Sequence, residues 1–318
     1  MPPGRPVLVC GDVINDVLVK PRDALTAGSD TVSDIAARPG GSAANQAAWM
    51  AHLGADVMFA GRAGARDVGY HRDQLARAGV RPYLTADAEA GTGTIVIMVS
   101  ADGERTMFTD RGANLRLRRS DIPAAALDRA AVLHLTGYTF CEPPLVEVAL
   151  WLIGQARSRG LAVTVDPGSA SFLARLEPGA FLGWTEGAAV CFPNREEAAV
   201  LTGLPPQTDP ALMAARLTRY YRTVVVTLGA GGCVLVVPGE APVLIPAQPA
   251  QASDTTGAGD AFCGAFMSRW LNGAPDPNAA DPKLADPKLA DLTSAAEFAV
   301  RVAASVVTRF GARPTAPE

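Results

Sequence analysis

Residues 254–260, Asp254-Thr255-Thr256-Gly257-Ala258-Gly259-Asp260, have the small residues of an anion-holding loop, no Lys or Arg, and an Asp at each end. A phosphate loop of the G-x-x-x-x-G-K-[ST] kind needs a Lys, so that class of nucleotide-binding protein is disfavoured. The positive potential has another source, in the segment immediately downstream. The run AFCGAFMSRWL carries apolar residues at three- and four-residue intervals, and residues 258–271 read as a helix. The first amides of a helix lack carbonyl partners and lie at the positive end of its dipole. They hold an anion without a basic side chain, and glycines let a ligand approach the backbone. Asp260 falls in the first turn, beside that anion. A carboxylate there stays ionised at neutral pH. It is placed to accept a proton from a hydroxyl that attacks a phosphoryl group held by Gly257, Ala258 and Gly259. Thr256 and Asp260 are also candidate caps of the helix.

Composition narrows the remaining classes. The chain has 318 residues, 48% hydrophobic and 19% charged, enough for one large α/β domain or two small ones. A net charge of −4 without a basic block argues against nucleic acid as a partner. Cys10, Cys141, Cys191, Cys233 and Cys263 are scattered, and most lie in apolar runs, which reads as reduced, buried thiols. His52, His71 and His134 are too far apart in sequence to suggest a metal site. The opening MPPGRPVLVCGD has too short an apolar run for a signal peptide. No run approaches the roughly 18 apolar residues of a membrane span. A cytoplasmic protein with no membrane partner is expected.

Short apolar runs recur at residues 7–10, 57–60, 131–135, 161–165, 188–192 and 224–228. Helical patterns at 42–53, 144–159, 194–201 and 210–220 alternate with them, and residues 292–310 add another. Ser42 is the candidate N-cap of the first. This alternation predicts a parallel sheet between helices. Two regions break it. Residues 13–38 are polar and lack a helix period, and residues 92–110 form two β-rich runs around Asp102-Gly103, a hairpin signal. Both are read as a small β subdomain placed over a site. The tandem repeat ADPKLADPKLAD at 280–291 reads as a surface loop.

These motifs, in this order, resemble the ribokinase, or PfkB, family of carbohydrate kinases. DTTGAGDAF resembles the family's second signature, and Gly40-Gly41-Ser42-Ala43-Ala44-Asn45-Gln46-Ala47-Ala48 resembles its first. Gly11 with Asp16, the hairpin T-G-T…DGERT, Gly112-Ala113-Asn114, Asp166-Pro167, Asn194-x-x-Glu197, Thr227-Leu228-Gly229 and Gly311-Ala312-Arg313-Pro314 extend the likeness over most of the chain. The resemblance implies a Rossmann-like three-layer α/β/α ribokinase-like fold, a single domain over 1–318, with a β-sheet lid from about 13–38 and 92–111. It implies an ATP-dependent sugar kinase that phosphorylates a hydroxyl, usually primary, and often a homodimer formed through the lid. Asp260 would be the catalytic base and Gly257, Ala258 and Gly259 the anion hole. Asn194, Glu197, Thr227, Gly229 and Thr256 would serve the nucleotide. Glu197 would meet Mg2+ through water, with no direct protein ligand. Asp254 and the 304–314 tail would mark a monovalent-cation loop, with K+ as its candidate ion.

At the acceptor end, carboxylates and amides suit adjacent hydroxyls. Asp16, Gly41, Ser42, Asn45 and Asn114 are the candidate substrate residues, gathered at the carboxyl edge of the sheet. Ser42 and Ile14 stand where ribokinases proper carry Lys and Asn, which leaves ribose itself open. Arg111 is either an anion reader or a lid charge, and Tyr138 and Phe140 either stack on the substrate or pack in the core. A nucleoside acceptor, of the adenosine or pseudouridine kind, and a non-catalytic sensor are the alternatives.

Overall fold

The computed structural model describes residues 6–25, 27–100, 105–177, 179–251, 255–273, 288–308 and 311–314. Its central sheet has nine strands, and the first is β1 (Val7–Cys10). A second sheet begins at once with β2 (Ile14–Pro21) and β3 (Ser33–Gly40). Helix α1 (Ser42–His52), β4 (Val57–Gly64), α2 (Val68–Arg77) and β5 (Arg81–Asp87) return to the main sheet. The hairpin β6 (Thr92–Val99) and β7 (Arg105–Gly112) completes the second sheet, in the order β3-β2-β6-β7. The Asp102-Gly103 turn expected there lies outside the described residues, as do residues 280–287 of the repeat.

From α3 (Ala124–Arg129) the chain alternates regularly: β8 (Val132–Thr136), α4 (Pro143–Ser158), β9 (Ala162–Asp166), α5 (Ala170–Leu173), α6 (Ala180–Thr185), β10 (Val190–Cys191), α7 (Arg195–Thr202) and α8 (Pro210–Leu217). Strands β11 (Val224–Thr227), β12 (Cys233–Val236) and β13 (Val243–Ile245) follow, then α9 (Ala258–Gly273) and α10 (Leu289–Val306). The main sheet runs β13-β12-β11-β10-β9-β8-β1-β4-β5 and is parallel except at its β12 and β13 edge.

The apolar runs form these strands because both faces of the sheet are covered. Val7 and Val9 of β1 share one core with α1, α2, α9 and α10, while Leu8 and Cys10 share the other with α3 to α8. A strand buried on both faces has no polar side, hence the unbroken VLVC. Strand order also locates the site. From β1 the sheet grows one way through β4 and β5 and the other way through β8 to β13. The crevice beyond the carboxyl ends of β1 and β8 is such a switch point, where open α/β sheets bind ligands.

The second sheet stands at this crevice and is tied to the main body through β2. Asn15 donates from Nδ2 to Asp67 Oδ2 (2.7 Å), and its Oδ1 lies 2.9 Å from Nε2 of the buried His71 on α2. Adjacent residues of a strand face opposite ways, so Asp16 is turned to the other face of this sheet.

Candidate active site

Helices α1 and α9 pack together and bring their first turns to the same place. Asp260, in the first turn of α9, receives three hydrogen bonds from α1. Ser42 Oγ donates to its Oδ1 (2.8 Å), Gln46 Nε2 to the same oxygen (3.0 Å) and Asn45 Nδ2 to Oδ2 (3.0 Å). Burial raises the proton affinity of Asp260 to about 6, against the three donors, which favour the ionised form. The group is therefore mostly a carboxylate at neutral pH, but a stronger base than a solvated Asp. Two donors occupy Oδ1 and one occupies Oδ2, so the open acceptor direction is on Oδ2.

Ser42 does not cap α1, as the sequence suggested. The N-cap is Gly41, at φ 95°, and Ser42 is the first helical residue with its hydroxyl committed to Asp260. The cap comes from another element: Asp12, just past β1, accepts from the Ala43 amide through Oδ1 (3.0 Å). Both glycines of the pair are needed for this approach. A Cβ on Gly41 would come within 2.5 Å of the Asp12 carbonyl, and one on Gly40 within 2.1 Å of Asp16 Oδ2. The double glycine thus makes room for the Asp12 backbone and the Asp16 carboxylate.

At the start of α9, Gly257 adopts φ 76°, and a Cβ there would meet Ala312 at 2.5 Å. Gly259 opens the other way, for a Cβ built on it would meet no atom within 4 Å. Ala258 lies between them as the first residue of α9, and Thr256 precedes them, half-buried. Asp254 lies outside the described residues. Of the 304–314 tail, Ala312 offers its carbonyl to Trp49 Nε1 (2.8 Å).

Gln46, which the sequence marked only as part of a motif, is the hub of the site. Its Nε2 donates to Asp166 Oδ2 (2.7 Å) as well as to Asp260, and lies 3.1 Å from Ser42 Oγ. Its Oε1 accepts from His134 Nε2 (2.6 Å), whose Nδ1 in turn accepts from the Thr164 hydroxyl (2.8 Å). Burial drives the His134 proton affinity down to about 3, which keeps the ring neutral. The carboxylates of Asp166 and Asp260 claim the Nε2 end of the Gln46 amide, so its Oε1 faces His134 and Nε2 of the ring is the donor.

Asp166 stands between the two ligand ends. Burial, then Glu197, then Asp260 push its proton affinity well up. Glu197 is buried and its affinity rises to about 7, chiefly by desolvation. It forms a capping box on α7: Asn194 Oδ1 accepts from the Glu197 amide (2.8 Å), and Glu197 accepts from Asn194 N (2.9 Å) and Nδ2 (2.8 Å). Asn194 pairs with Thr227 at the end of β11, and Gly229 follows at φ 56° with open space beside it. Asn194, Glu197, Thr227 and Gly229 are thus neighbours, and Asp166 feels both Glu197 and Asp260.

Asn114, a candidate substrate residue, staples the backbone in this structure. Its Oδ1 accepts from Val13 N (2.8 Å) and its Nδ2 donates to Val13 O (2.8 Å) and Arg111 O (2.9 Å), which uses both amide hydrogens. Phe140 is core, stacked on Trp184 and edge-on to Phe181. Arg111 lies 3.9 Å over the Tyr138 ring and 3.4 Å from Asp12, so its charge is matched and one Tyr138 face is covered. Burial, above all, raises Asp16 to about 7, with Asp12 and Asp260 adding to it and Arg313 opposing.

A carboxylate held at the end of a helix, facing acceptor residues and an open glycine turn, is an arrangement for group transfer to an alcohol. Residues 5–318 match the model described as "pfkB family carbohydrate kinase", and the chain belongs to that family, whose members are phosphotransferases with an alcohol acceptor. It is 33% identical to mouse (Mus musculus) ribokinase over 236 residues, 71% of this chain and 69% of the relative. It is 30% identical to fructokinase-1 of Oryza sativa subsp. japonica over 287 residues, 88% and 85% of the two. Among solved structures, ribokinase from Giardia lamblia superposes with a TM-score of 0.81 at 23% identity, covering 97% of this chain and 96% of the other. The ribokinase-like α/β fold expected from the sequence is the fold found. Among the described residues no helix is long and apolar enough to cross a membrane.

Proposed function

We propose that the chain transfers the γ-phosphate of ATP to a primary hydroxyl of a carbohydrate, with Asp260 as the base. The observation that carries this reading is the bonding of Asp260: three donors from α1 orient the carboxylate and leave one direction open on Oδ2. A substrate hydroxyl donates there. Its oxygen attacks the γ-phosphorus, the bond from that phosphorus to the bridging oxygen breaks, and ADP departs. The proton passes to Asp260. The amides of Gly257, Ala258 and Gly259, with the dipole of α9, hold the negative oxygens in transit. Asp16, Gly41, Ser42 and Asn45 surround the acceptor, and Asn194, Glu197, Thr227, Gly229 and Thr256 serve the nucleotide.

The residues fit a divalent ion carried by the nucleotide. Glu197 and Asp260 both repel the buried Asp166 carboxyl, and a cation near them would relieve that repulsion. Contact through water and phosphate, without a direct protein ligand, is the arrangement that suits Mg2+, which keeps several of its waters. Mg2+ supplies charge neutralisation on the phosphates when bound. Glu197→Gln raises the Mg2+ concentration needed for half-maximal rate, and an unchanged requirement removes Glu197 from that network. The potassium expectation rests on Asp254 and is tested by exchanging K+ for Na+ in the assay.

The covered face of Tyr138 favours a sugar over a nucleoside, since Arg111 already occupies a place where a base would stack. Turnover of a panel of pentoses, hexoses, sugar acids, phosphosugars and nucleosides tests the reading. Preference for a nucleoside replaces it, and no turnover with any acceptor favours a sensor.

The lid supports a homodimer. Phe108, Val96, Val17 and Ala37 lie in register across its four strands on the face opposite Asp16. Phe108 is 58% exposed and Ile35, on the same face, 67%. Light scattering on wild type and on the Ile35→Glu, Phe108→Glu variant reads the mass; a monomeric wild type ends the dimer proposal.

A further inference from the structure

The C-terminal tail brings a second arginine to the acceptor site. Arg313 donates from Nε to Asn45 Oδ1 (3.0 Å) and from Nη2 to the Gly40 carbonyl (2.9 Å). Its third terminal group, Nη1, is buried and has no hydrogen-bond partner among the described residues. A buried donor left unpaired costs free energy, and such groups in native structures usually await a ligand or water. Nη1 is the unpaired end of a side chain whose other two nitrogens are already fixed.

The carboxylates that act on Arg313 are Asp16 most, then Asp260 and Asp12. Burial lowers the guanidinium only to about 10, so it is charged at neutral pH. Asp16 and Arg313 share one anchor. The Asp16 carboxylate lies where a Gly40 side chain would be, and Arg313 holds the Gly40 carbonyl. Yet no ion pair closes between them among the described residues. A carboxyl group and a fork donor, fixed on the same glycine but not joined, can together serve a group that both donates and accepts.

We propose that Arg313 is a specificity-determining residue of the acceptor site, its Nη1 donating to one oxygen of a vicinal diol whose hydroxyl donates to Asp16. The substrate class is an uncharged polyol. An incoming carboxylate or phosphate would join Asp12, Asp16 and Asp260, whereas a hydroxyl satisfies donor and acceptor together. Arg313 is therefore a reader of the substrate and, through Asn45, a support for the base.

The proposal rests on the kinase reading above, and the test separates the two. Steady-state kinetics of the full chain use the acceptor panel, then the best acceptor and its deoxy analogues. Neutral polyols are turned over in preference to sugar acids and phosphosugars. Arg313→Ala and Arg313→Lys raise the KM for the acceptor about 10- to 100-fold. The KM for ATP stays within about two-fold. Lys carries the charge but not the fork, so it does not restore binding. In one deoxy analogue the penalty of the variant disappears, because the hydroxyl read by Nη1 is already gone. Added guanidinium partly restores Arg313→Ala.

Failure takes three forms. Turnover of a polyol with an unchanged acceptor KM in both variants overturns the inference and leaves the kinase reading standing. So does a parallel rise in the KM for ATP and for every deoxy analogue, which is the mark of a tail that only supports the fold. Absence of turnover with every acceptor overturns both.

Discussion

Helices α1 and α9 begin at the same point, and their first turns are used in opposite ways. At α1 the Ala43 amide is already satisfied by the Asp12 carboxylate. At α9 the acid of the first turn, Asp260, gives its oxygens to α1 instead, and Gly259 borders open space. Each helix start attracts negative charge. One is capped from within the chain and becomes a rigid platform of donors. The other has no such internal partner at Gly259 among the described residues and is free for the phosphate proposed above. Asp260 belongs to α9 by sequence and to α1 by hydrogen bonding, so its carboxylate is fixed by one helix beside the first turn of the other.

The largest effect comes from removing the base. Asp260→Asn lowers kcat by about 10²- to 10⁴-fold, the range of a general base. Its ATP affinity, measured by calorimetry, stays near that of wild type. Retention of most of the activity would mean that α9 holds phosphate without Asp260 taking the proton. Next is the scaffold beneath α1. Asn114→Ala strands the buried Val13 amide and carbonyl, at about 1–3 kcal/mol for each unsatisfied group. Denaturant unfolding reads this loss. A variant as stable as wild type but with a large rise in acceptor KM would return Asn114 to the substrate.

The pH profile then sharpens the contrast. Asp260 must be ionised, and its proton affinity is raised to about 6, so kcat falls as pH drops through about 6. Gln46→Leu deletes a donor that stabilises the ionised form. The acid limb moves upward and kcat at pH 7 falls about 10-fold. The smallest effect has the opposite sign. Asp12 is a like charge that raises both Asp260 and Asp16. Asp12→Asn keeps an oxygen for the Ala43 amide and removes that charge, so the limb moves downward by less than about one pH unit with stability retained. Asp12→Ala also loses the cap, at about 1 kcal/mol. A limb that moves the same way in the Gln46 and Asp12 variants would break the account of how the base is tuned.

Much of this was legible in the sequence. The unbroken apolar runs announced a sheet covered on both faces, and the polar stretch and hairpin that interrupted them formed a second sheet. The turn at 257–260 read as a helix start with an acid in its first turn, which is where α9 and Asp260 stand, and Asp16, Gly41 and Asn45, read as one group, gather near Asp260. What the sequence hid is long-range. Asp260 meets Ser42 and Asn45 across more than two hundred residues, and Arg313 meets Asn45 across 268. No local period or spacing reports such a meeting. The staple made by Asn114 was hidden for a related reason: a turn sequence gives the residue type but not the direction of its amide. Ser42 looked like a cap because Ser is a good one, but Asp12 reached the Ala43 amide and freed the hydroxyl for Asp260. Gln46 and His134 were passed over because a buried amide and a neutral imidazole in apolar surroundings leave no pattern of charge.

The tail contact also sets a schedule. Arg313 leaves the ribosome about 270 residues after its partners Gly40 and Asn45. At synthesis rates of about 5–20 residues per second, that delay is on the order of tens of seconds. Until Arg313 emerges and Ala312 closes on Gly257 and Trp49, α1 and the first turn of α9 lack the contacts that lock them to the tail.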